Sequence, residues 1–312
     1  LSGFGSGVSA GGAAGFTVGY CGGGISTSLV ELLTIEGIDY ATDINTARTD
    51  ADMNDERRQP SHFSNGSTKG MWIGGRELDN NAISAADTTT FATETTAIST
   101  DADSGWTIWR CSPLATLTDG YTTGGLAPSN DNRCQKTVFA TEVTSANTDG
   151  DAAGNVLENG AISGTTVKGY HIGGDGGNTT MYIFTYSTDT VATHTDTMPS
   201  TNIGQSGLTD GVTNGYTVAG WQGLSVGFKM VFSTDVYSAH TDGDRTVDAM
   251  DTSQNAPSDN GVAGYVQGGQ MSGTFHDECD KMTYSTGVVA AVTDADLVVV
   301  RAATGGFSTN AV

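Results

Sequence analysis

The feature that most constrains the fold is a pattern that recurs six times along the chain. Each copy begins with a glycine–aromatic pair, continues to an aromatic residue followed by Ala or Ser and then Thr, and ends at a Thr-Asp pair nine residues after that aromatic. The entries are Gly19-Tyr20, Gly70-Met71 (a degenerate copy), Gly120-Tyr121, Gly169-Tyr170, Gly215-Tyr216 and Gly264-Tyr265, and successive entries lie 51, 50, 49, 46 and 49 residues apart. The later aromatics are Tyr40, Phe91, Phe139, Tyr186, Phe232 and Tyr284. Because a period of this length marks one structural unit used repeatedly, this is a repeat protein.

Within one repeat, the residues predict four short antiparallel strands. Tyr182, Phe184 and Tyr186 alternate with other residues, which is the period of a half-buried strand. Asp119-Gly120 and Asn214-Gly215 are pairs typical of two-residue hairpin turns. Glycine, with 44 residues, is about twice as frequent as usual, which suits an all-β fold with many tight turns. Four strands in about 49 residues, six times over, predict an all-β, six-bladed β-propeller of four-stranded antiparallel blades.

The repeat fills the chain, so we predict a single domain over residues 1–312. Residues 1–18 are a Gly-rich lead-in, and the terminal segment 297–312 has the form of a first strand. One of these segments is expected to close the ring beside the first repeat, and the sequence leaves open which. Because the first residue is Leu1 and no signal peptide is visible, we expect that the chain was processed or belongs to a longer product.

Charge restricts the classes of partner. The formal charge of −22, from 35 acidic and 13 basic residues, argues against a nucleic-acid partner, which requires a basic surface. No apolar run approaches the roughly 20 residues of a membrane-spanning helix. The charge favours a highly soluble protein, including one that works in salty water where repulsion is screened.

The connections of a blade divide between the two faces of the disc. The turns between strands 1 and 2 and between strands 3 and 4 are short and lie on one face, here called the turn face. The connections from strand 2 to strand 3 and from strand 4 to the next blade are longer and lie on the other face, here called the long-loop face. Variable loops on a rigid scaffold usually carry recognition, so we predict a binding surface on the long-loop face.

The long-loop face should also carry the Thr-Asp pairs, five of which extend to a second acid. The aspartates are Asp50 and Asp52, Asp101 and Asp103, Asp149 and Asp151, Asp242 and Asp244, and Asp294 and Asp296. In the fourth repeat, Asp196 is followed by Met198 in place of a second acid. Two interpretations stay open. Short Asp side chains cap turns and keep the rim soluble, or some of them bind a divalent cation such as Ca²⁺ together with loop carbonyls. No other cofactor is indicated.

No constellation of catalytic residues stands out, so we predict that the protein is not an enzyme. His194 and His240 occupy equivalent repeat positions, which favours a structural role. The segment His276-Asp277-Glu278-Cys279-Asp280 is the densest set of metal-ligating residue types, and it is predicted to lie in a loop without a partner motif. No Ser-His-Asp order or nucleophile elbow is apparent. A galactose-oxidase-like copper site would need convergent Tyr, His and Cys ligands, which nothing here identifies.

Two further predictions concern the interior. The strict repetition of the six later aromatics indicates core between blades rather than a ladder for sugar stacking. Cys134 and Cys279 occupy equivalent positions on opposite sides of the ring, too far apart for a disulfide. Cys111 with Cys134 is the only pairing that we entertain, and the alternative is four free thiols.

The motif Gly-Tyr-x-x-Gly-Gly, followed by an aromatic-Ser/Ala-Thr-Asp/Glu turn, resembles the kelch repeat over nearly the whole chain. The full entry runs from Gly19 to Gly24 and recurs in the third, fourth and sixth repeats. The Trp that often occurs in the fourth strand of cellular kelch proteins is missing, and Ala97, Ala192 and Ala239 stand there. The Thr/Ala/Ser/Gly-rich style is similar to the kelch-like repeats of structural proteins from tailed, often marine, bacteriophages.

This resemblance implies a non-catalytic structural protein exposed on the surface of a virion, as a tail-fibre, receptor-binding or capsid-decorating propeller. The implied partners are other virion proteins or a host-surface glycan or receptor, and a homo-oligomer is compatible with it. One alternative is a secreted, extracellular carbohydrate-binding or adhesion module, which glycan binding by the isolated chain would support. Another is a galactose-oxidase-like enzyme, which copper content and peroxide production would reveal.

Overall fold

A computed structural model of the chain describes residues 18–308, apart from 78, 80, 128, 155, 158–159, 175–178, 201–203, 219, 221–224, 247–255 and 272. In chain order, the strands of this described part are β1 (Val18–Gly22), β2 (Ile25–Ser26), β3 (Ile35–Asp39), β4 (Ile44–Ala47), β5 (Ser61–Ser64), β6 (Lys69–Arg76), β7 (Ala82–Thr90), β8 (Thr95–Ile98), β9 (Ser112–Ala115), β10 (Asp119–Ala127), β11 (Ser129–Val138), β12 (Val143–Ala146), β13 (Gly160–Ile162), β14 (Lys168–Ile172), β15 (Thr180–Thr185), β16 (Thr190–Thr197), β17 (Ser206–Thr209), β18 (Asn214–Val218), β19 (Phe228–Val231), β20 (Val236–Ala239), β21 (Ala256–Asp259), β22 (Ala263–Met271), β23 (Thr274–Thr283), β24 (Val288–Ala291), β25 (Arg301–Ala302) and β26 (Gly305–Ser308). Short 3₁₀ helices cover Thr49–Ala51, Thr100–Ala102, Thr148–Gly150, Thr241–Gly243 and Thr293–Ala295.

The strands form six antiparallel four-stranded sheets, which are the blades of a β-propeller. Blades 2 to 6 are β5–β8, β9–β12, β13–β16, β17–β20 and β21–β24, each in chain order from the inner strand outwards. Blade 1 has the order β26-β1-β3-β4, and β2 and β25 form a separate two-stranded ribbon. The inner strands contact one another around the ring, from β26 through β5 to β21. The predicted all-β, six-bladed propeller is confirmed.

Ring closure uses the C-terminal strand. Strand β26 pairs antiparallel with β1, with Gly19 opposite Ser308 and Gly22 opposite Gly305, so it is the inner strand of blade 1. Phe307 in β26 is fully buried. The segment 297–312 therefore contains the closing strand, while the lead-in residues 1–17 lie outside the described residues.

Glycine is required at the positions of the entry motif for two different physical reasons. A Cβ on Gly70 would overlap the ring of Phe307, which crosses from the inner strand of the preceding blade. The second reason applies to the Gly-Gly pair at the end of strand 2, where Gly74 and Gly75 have backbone φ angles of +66° and +112°. Such angles are unfavourable for residues with a Cβ, so the pair allows the chain to turn out of the blade.

The six later aromatics are buried between blades, as predicted. In five junctions each stacks on the entry tyrosine of the preceding blade, with ring centroids 5.1–5.7 Å apart: Phe91 on Tyr20, Tyr186 on Tyr121, Phe232 on Tyr170, Tyr284 on Tyr216 and Tyr40 on Tyr265. Where Met71 replaces the tyrosine, Phe139 packs instead on Phe63, at 5.8 Å. Such pairs add about 0.5–1.5 kcal/mol each beyond area burial.

Buried ion pairs join some blades on the long-loop side of this core. Arg57, in the connection from blade 1, binds Asp87 of blade 2 at 2.8 Å, and both side chains are essentially inaccessible. Arg245 with Asp280 and Arg301 with Glu36 repeat this arrangement at the 5/6 and 6/1 junctions. At the 3/4 junction, by contrast, Val156 packs against Tyr182. Each arginine also donates to a backbone carbonyl of the neighbouring blade, which offsets part of the cost of burying its charge.

The four cysteines are all buried free thiols. Burial raises the pKa of the Cys21 thiol and of the Cys134 thiol to about 12, so neither is a reactive thiolate at neutral pH.

Candidate functional site

Five of the six Thr-Asp pairs begin 3₁₀ helices at the start of the connections to the next blade, which places them on the long-loop face. The second aspartates share one role, because Oδ1 of each accepts a hydrogen bond of 2.7–2.9 Å from the backbone N–H seventeen residues earlier, which lies in strand 3 or, for Gly227, just before it. These bonds are Ile35 to Asp52, Ala86 to Asp103, Cys134 to Asp151, Gly227 to Asp244 and Cys279 to Asp296. The second acid therefore fastens each connection to strand 3 of its own blade.

The fourth repeat shows what the second acid does. Met198 stands at its position and is buried, and its backbone N–H bonds to the carbonyl of Thr179. Strand β16 then continues to Thr197, through the position where other blades form a 3₁₀ turn. Asp196 in this strand is exposed. In the one repeat without the second acid, strand 4 thus continues where the other described blades form a 3₁₀ turn.

The first aspartates, Asp50, Asp101, Asp149, Asp242 and Asp294, are exposed. In the described part of the chain, no group of three or more His, Cys, Asp or Glu side chains has an arrangement that could hold a metal ion. The structure therefore assigns the second acids to backbone hydrogen bonds and leaves each first acid in solvent. Cation binding at this rim stays a hypothesis.

The prediction that His276 to Asp280 lie in a loop is wrong, because the segment lies within strand β23. Strand β23 is long because it forms an extended hairpin with β22. Successive side chains of β23 point to opposite faces of the blade, which separates the metal-ligating residue types. Cys279 is buried, Asp280 binds Arg245, and His276 Nδ1 lies 3.0 Å from Glu278 Oε2.

Two other histidines are deep in the core. Ser112 Oγ and His171 Nδ1 are 2.7 Å apart, a nucleophile–base spacing that the sequence did not reveal. His171 is fully buried, however, and burial lowers its pKa to about 3. Burial similarly lowers the pKa of His62 to about 4. A neutral imidazole closed off from solvent cannot reach a substrate, so these residues contribute to packing.

The most unusual group on the long-loop face combines Arg58, Arg76 and Arg110 with Trp109, and is called here the arginine cluster. The guanidinium carbons of Arg76 and Arg110 lie 4.3 and 4.2 Å from the Trp109 ring centroid, so both contact the indole by cation–π interaction. The buried carboxylate of Glu31 lies 3.4 Å from Arg58 Nε. Burial and the neighbouring charges of Arg58 and Arg110 lower the pKa of Arg76.

Repulsion between like charges held together in this way lowers the stability of the folded state, and such arrangements are typical of binding sites. Isolated bridges position the cluster: Arg58 pairs with Arg76, and Trp109 pairs with Leu126. The cluster therefore joins connections of blades 1, 2 and 3 at one place on the face.

An acidic cleft lies on the same face. It has a volume of about 510 Å³ and is lined by Leu33, Asn54, Asp55, Glu56, Glu77 and Asp79. Glu77 follows Arg76 directly, so the cleft and the arginine cluster are neighbours along the chain. This region thus presents groups of both signs side by side, in a chain with a formal charge of −22.

Sequence reasoning located the long-loop face but missed the arginine cluster. A usable signal was present, because five of the eight arginines fall between residues 48 and 110. The convergence of Arg76 and Arg110 on Trp109, with Arg58 beside them, depends on the stacking of the blades, which the sequence does not display.

No protein-family model matches the chain, and comparison with curated proteins found no match. None of the helices in the described part is long and apolar enough to cross a membrane.

Proposed function

We propose that this propeller is a non-catalytic recognition protein, displayed on the surface of a virion, which binds its partner through the long-loop face. The observation that carries the binding role is the arginine cluster, where three guanidinium groups and a tryptophan are held together on that face. Guanidinium groups bind carboxylate, sulfate and phosphate with defined geometry, so a host-surface glycan that carries anionic groups is the favoured partner.

The virion location is supported by the kelch-like entry motif and by the Thr/Ala/Ser/Gly-rich style that resembles phage structural proteins. A pair of aromatic rings is buried at every blade junction, and buried ion pairs add to this at the 1/2, 5/6 and 6/1 junctions, which supplies a scaffold for this role. A secreted carbohydrate-binding module remains the second candidate, because the same cluster would serve it equally well.

The test is binding of the full chain to acidic and neutral bacterial surface polysaccharides over a range of salt concentrations. We expect acidic polymers to bind, with an affinity that falls as salt rises. Replacing Arg76 and Arg110 with Ala should abolish binding, while Lys69→Ala on the turn face should leave it intact. Equal binding by the arginine variant would refute the site.

Electron microscopy of particles from the source of the chain separates the two candidates. Density for a six-bladed disc on the head, tail or fibre supports the virion role. A secreted protein that binds glycan but is missing from particles supports the second candidate.

A further inference from the structure

The acid in the turn between strands 3 and 4 is a junction residue in five blades. These residues are Asp43, Glu94, Glu142, Asp189 and Asp235, and each has a φ between +50° and +57°. Each turn carboxylate reaches a basic side chain of the preceding blade. In blade 6 the same position is Gly287, with a φ of +72°. The sixth turn therefore has the backbone of the others but no carboxylate.

The 6/1 junction shows the complete arrangement. Tyr265 OH donates to Asp43 Oδ1 at 2.6 Å, and Lys281 Nζ donates to Asp43 Oδ2 at 2.7 Å. Tyr265 and Lys281 are cross-strand neighbours in blade 6. One neutral and one charged donor thus hold the two oxygens of a single carboxylate.

The 3/4 junction has the same geometry. Tyr121 OH donates to Asp189 Oδ1 at 2.7 Å, and Lys136 Nζ donates to Asp189 Oδ2 at 2.9 Å. Tyr121 and Lys136 are again directly opposite each other across two strands. The pairing of donors is therefore a repeated feature of the fold and not an accident of one junction.

The 5/6 junction retains both donors. Tyr216 lies opposite Lys229 in the same register. Lys229 Nζ is 5.7 Å from the Tyr216 ring centroid, against 5.5 Å for Lys136 over Tyr121 and 5.2 Å for Lys281 over its tyrosine. Tyr216 is fully buried, and its hydroxyl has no hydrogen-bond partner among the described residues. A buried hydroxyl without a partner destabilises the folded state, and a bound acceptor would satisfy it.

His240 lies beside the position of the missing acid. Its Nε2 is 2.8 Å from the carbonyl oxygen of Gly287, and its ring centroid is 5.7 Å from that of Tyr216. A Cβ on Gly287 would lie 2.5 Å from the same Nε2 atom, so an incoming group requires the imidazole to shift. The imidazole therefore stands at the position of the missing acid, and an incoming group has to displace only the end of this one side chain and break its hydrogen bond to Gly287.

We propose that the junction between blades 5 and 6 is a binding site for a carboxylate anion, held by the Tyr216 hydroxyl and the Lys229 ammonium group as the turn acids are held elsewhere. The ligand is a small free carboxylic acid or the acidic side chain of a partner. This site lies on the turn face, so it is independent of recognition by the long-loop face. Burial and the nearby Asp210 carboxylate raise the pKa of Tyr216 to about 12, so its hydroxyl is protonated and able to donate at neutral pH.

The experiment is thermal unfolding of the full chain in sodium formate and in sodium chloride at equal ionic strength and neutral pH. We expect formate to raise the melting temperature with a saturating dependence on concentration, as ligand binding to the folded state requires. Tyr216→Phe should remove this shift. Gly287→Asp, which supplies the acid internally, should raise the melting temperature in chloride and make formate ineffective.

Asp43→Gly is the matched control, because it creates the same vacancy at a junction that is normally filled. This variant should melt lower in chloride and recover in formate beyond the wild-type shift. His240→Ala should increase the effect of formate, because it clears the position of the missing acid. Formate rescue of Asp43→Gly without any formate effect on the wild type or on His240→Ala would overturn the proposal.

A further comparison identifies the source of the carboxylate. N-acetyl-aspartate amide presents the acid on a side chain with a blocked backbone. Stabilisation by this compound as well as by formate supports the side chain of a partner, whereas stabilisation by formate alone supports a small free acid. The absence of stabilisation by either compound would refute the site.

Discussion

Phe307 is the residue on which the closed ring depends most directly, and its replacement by Ala offers a quantitative test. Its ring is fully buried and lies 4.4 Å from Trp72, 5.8 Å from Tyr20 and 5.9 Å from Phe91, measured between centroids. Phe→Ala changes in cores cost about 3–5 kcal/mol, and the upper part of that range applies where neighbours cannot collapse into the cavity. Here the cavity is walled by stacked aromatics and by the backbone of Gly70, so we expect about 4–5 kcal/mol.

Urea denaturation followed by tryptophan fluorescence measures this loss, with an unchanged m-value showing that the same surface is exposed on unfolding. Phe63→Ala is the matched control, because Phe63 occupies the same position in the inner strand of blade 2, within the chain and not at its end. The two variants should lose similar stability. A large loss for Phe63→Ala with less than about 1 kcal/mol for Phe307→Ala would refute closure by the C-terminal strand.

Three further predictions follow from buried polar groups. Replacing Asp87 with Asn leaves a buried guanidinium without its carboxylate and should cost about 3–5 kcal/mol in urea denaturation; a loss near zero would contradict the buried pair. His62 and His171 have folded-state pKa values of about 4 and about 3, below the ordinary value, so the unfolded chain binds more protons below about pH 6.5. Each should therefore remove about 1.4 kcal/mol of stability per pH unit as the pH falls towards its folded pKa, and replacing both with Gln should flatten the measured slope. Asp151→Ala removes the carboxylate that accepts from the Cys134 backbone N–H and should cost about 1–3 kcal/mol, whereas Asp149→Ala should cost little. Melts of the wild type in calcium, magnesium and chelator at fixed ionic strength should coincide. A calcium-specific shift that Asp149→Ala abolishes would support the metal hypothesis instead.

The candidate sites divide according to how far each interaction reaches along the chain. The second acid of the Thr-Asp motif accepts from a backbone N–H only seventeen residues away in the same blade. Its regular spacing in the sequence was therefore enough to suggest a structural role as one of two interpretations. The arginine cluster joins Arg58 to Arg110 across three blades, and no periodic pattern marks it. In the sequence, Gly287 stands where the other five turns have an acid, but its meaning depends on the cross-strand pairing of Tyr216 with Lys229 in the preceding blade.

The sequence by itself determined the number of blades, the strands per blade and the aromatic core, because each follows from local periodicity repeated at a constant interval. Tertiary structure alone decided which terminus closes the ring, since both ends of the chain could supply a strand and only pairing with β1 distinguishes them. It also decided which charges are buried, as with Arg57, whose neighbours in sequence are exposed or half-buried polar residues. The physical reason is the same in both cases. Hydrogen-bond partners and desolvation depend on which residues lie across a blade junction, and closure of the ring decides this, not the order of residues in the chain.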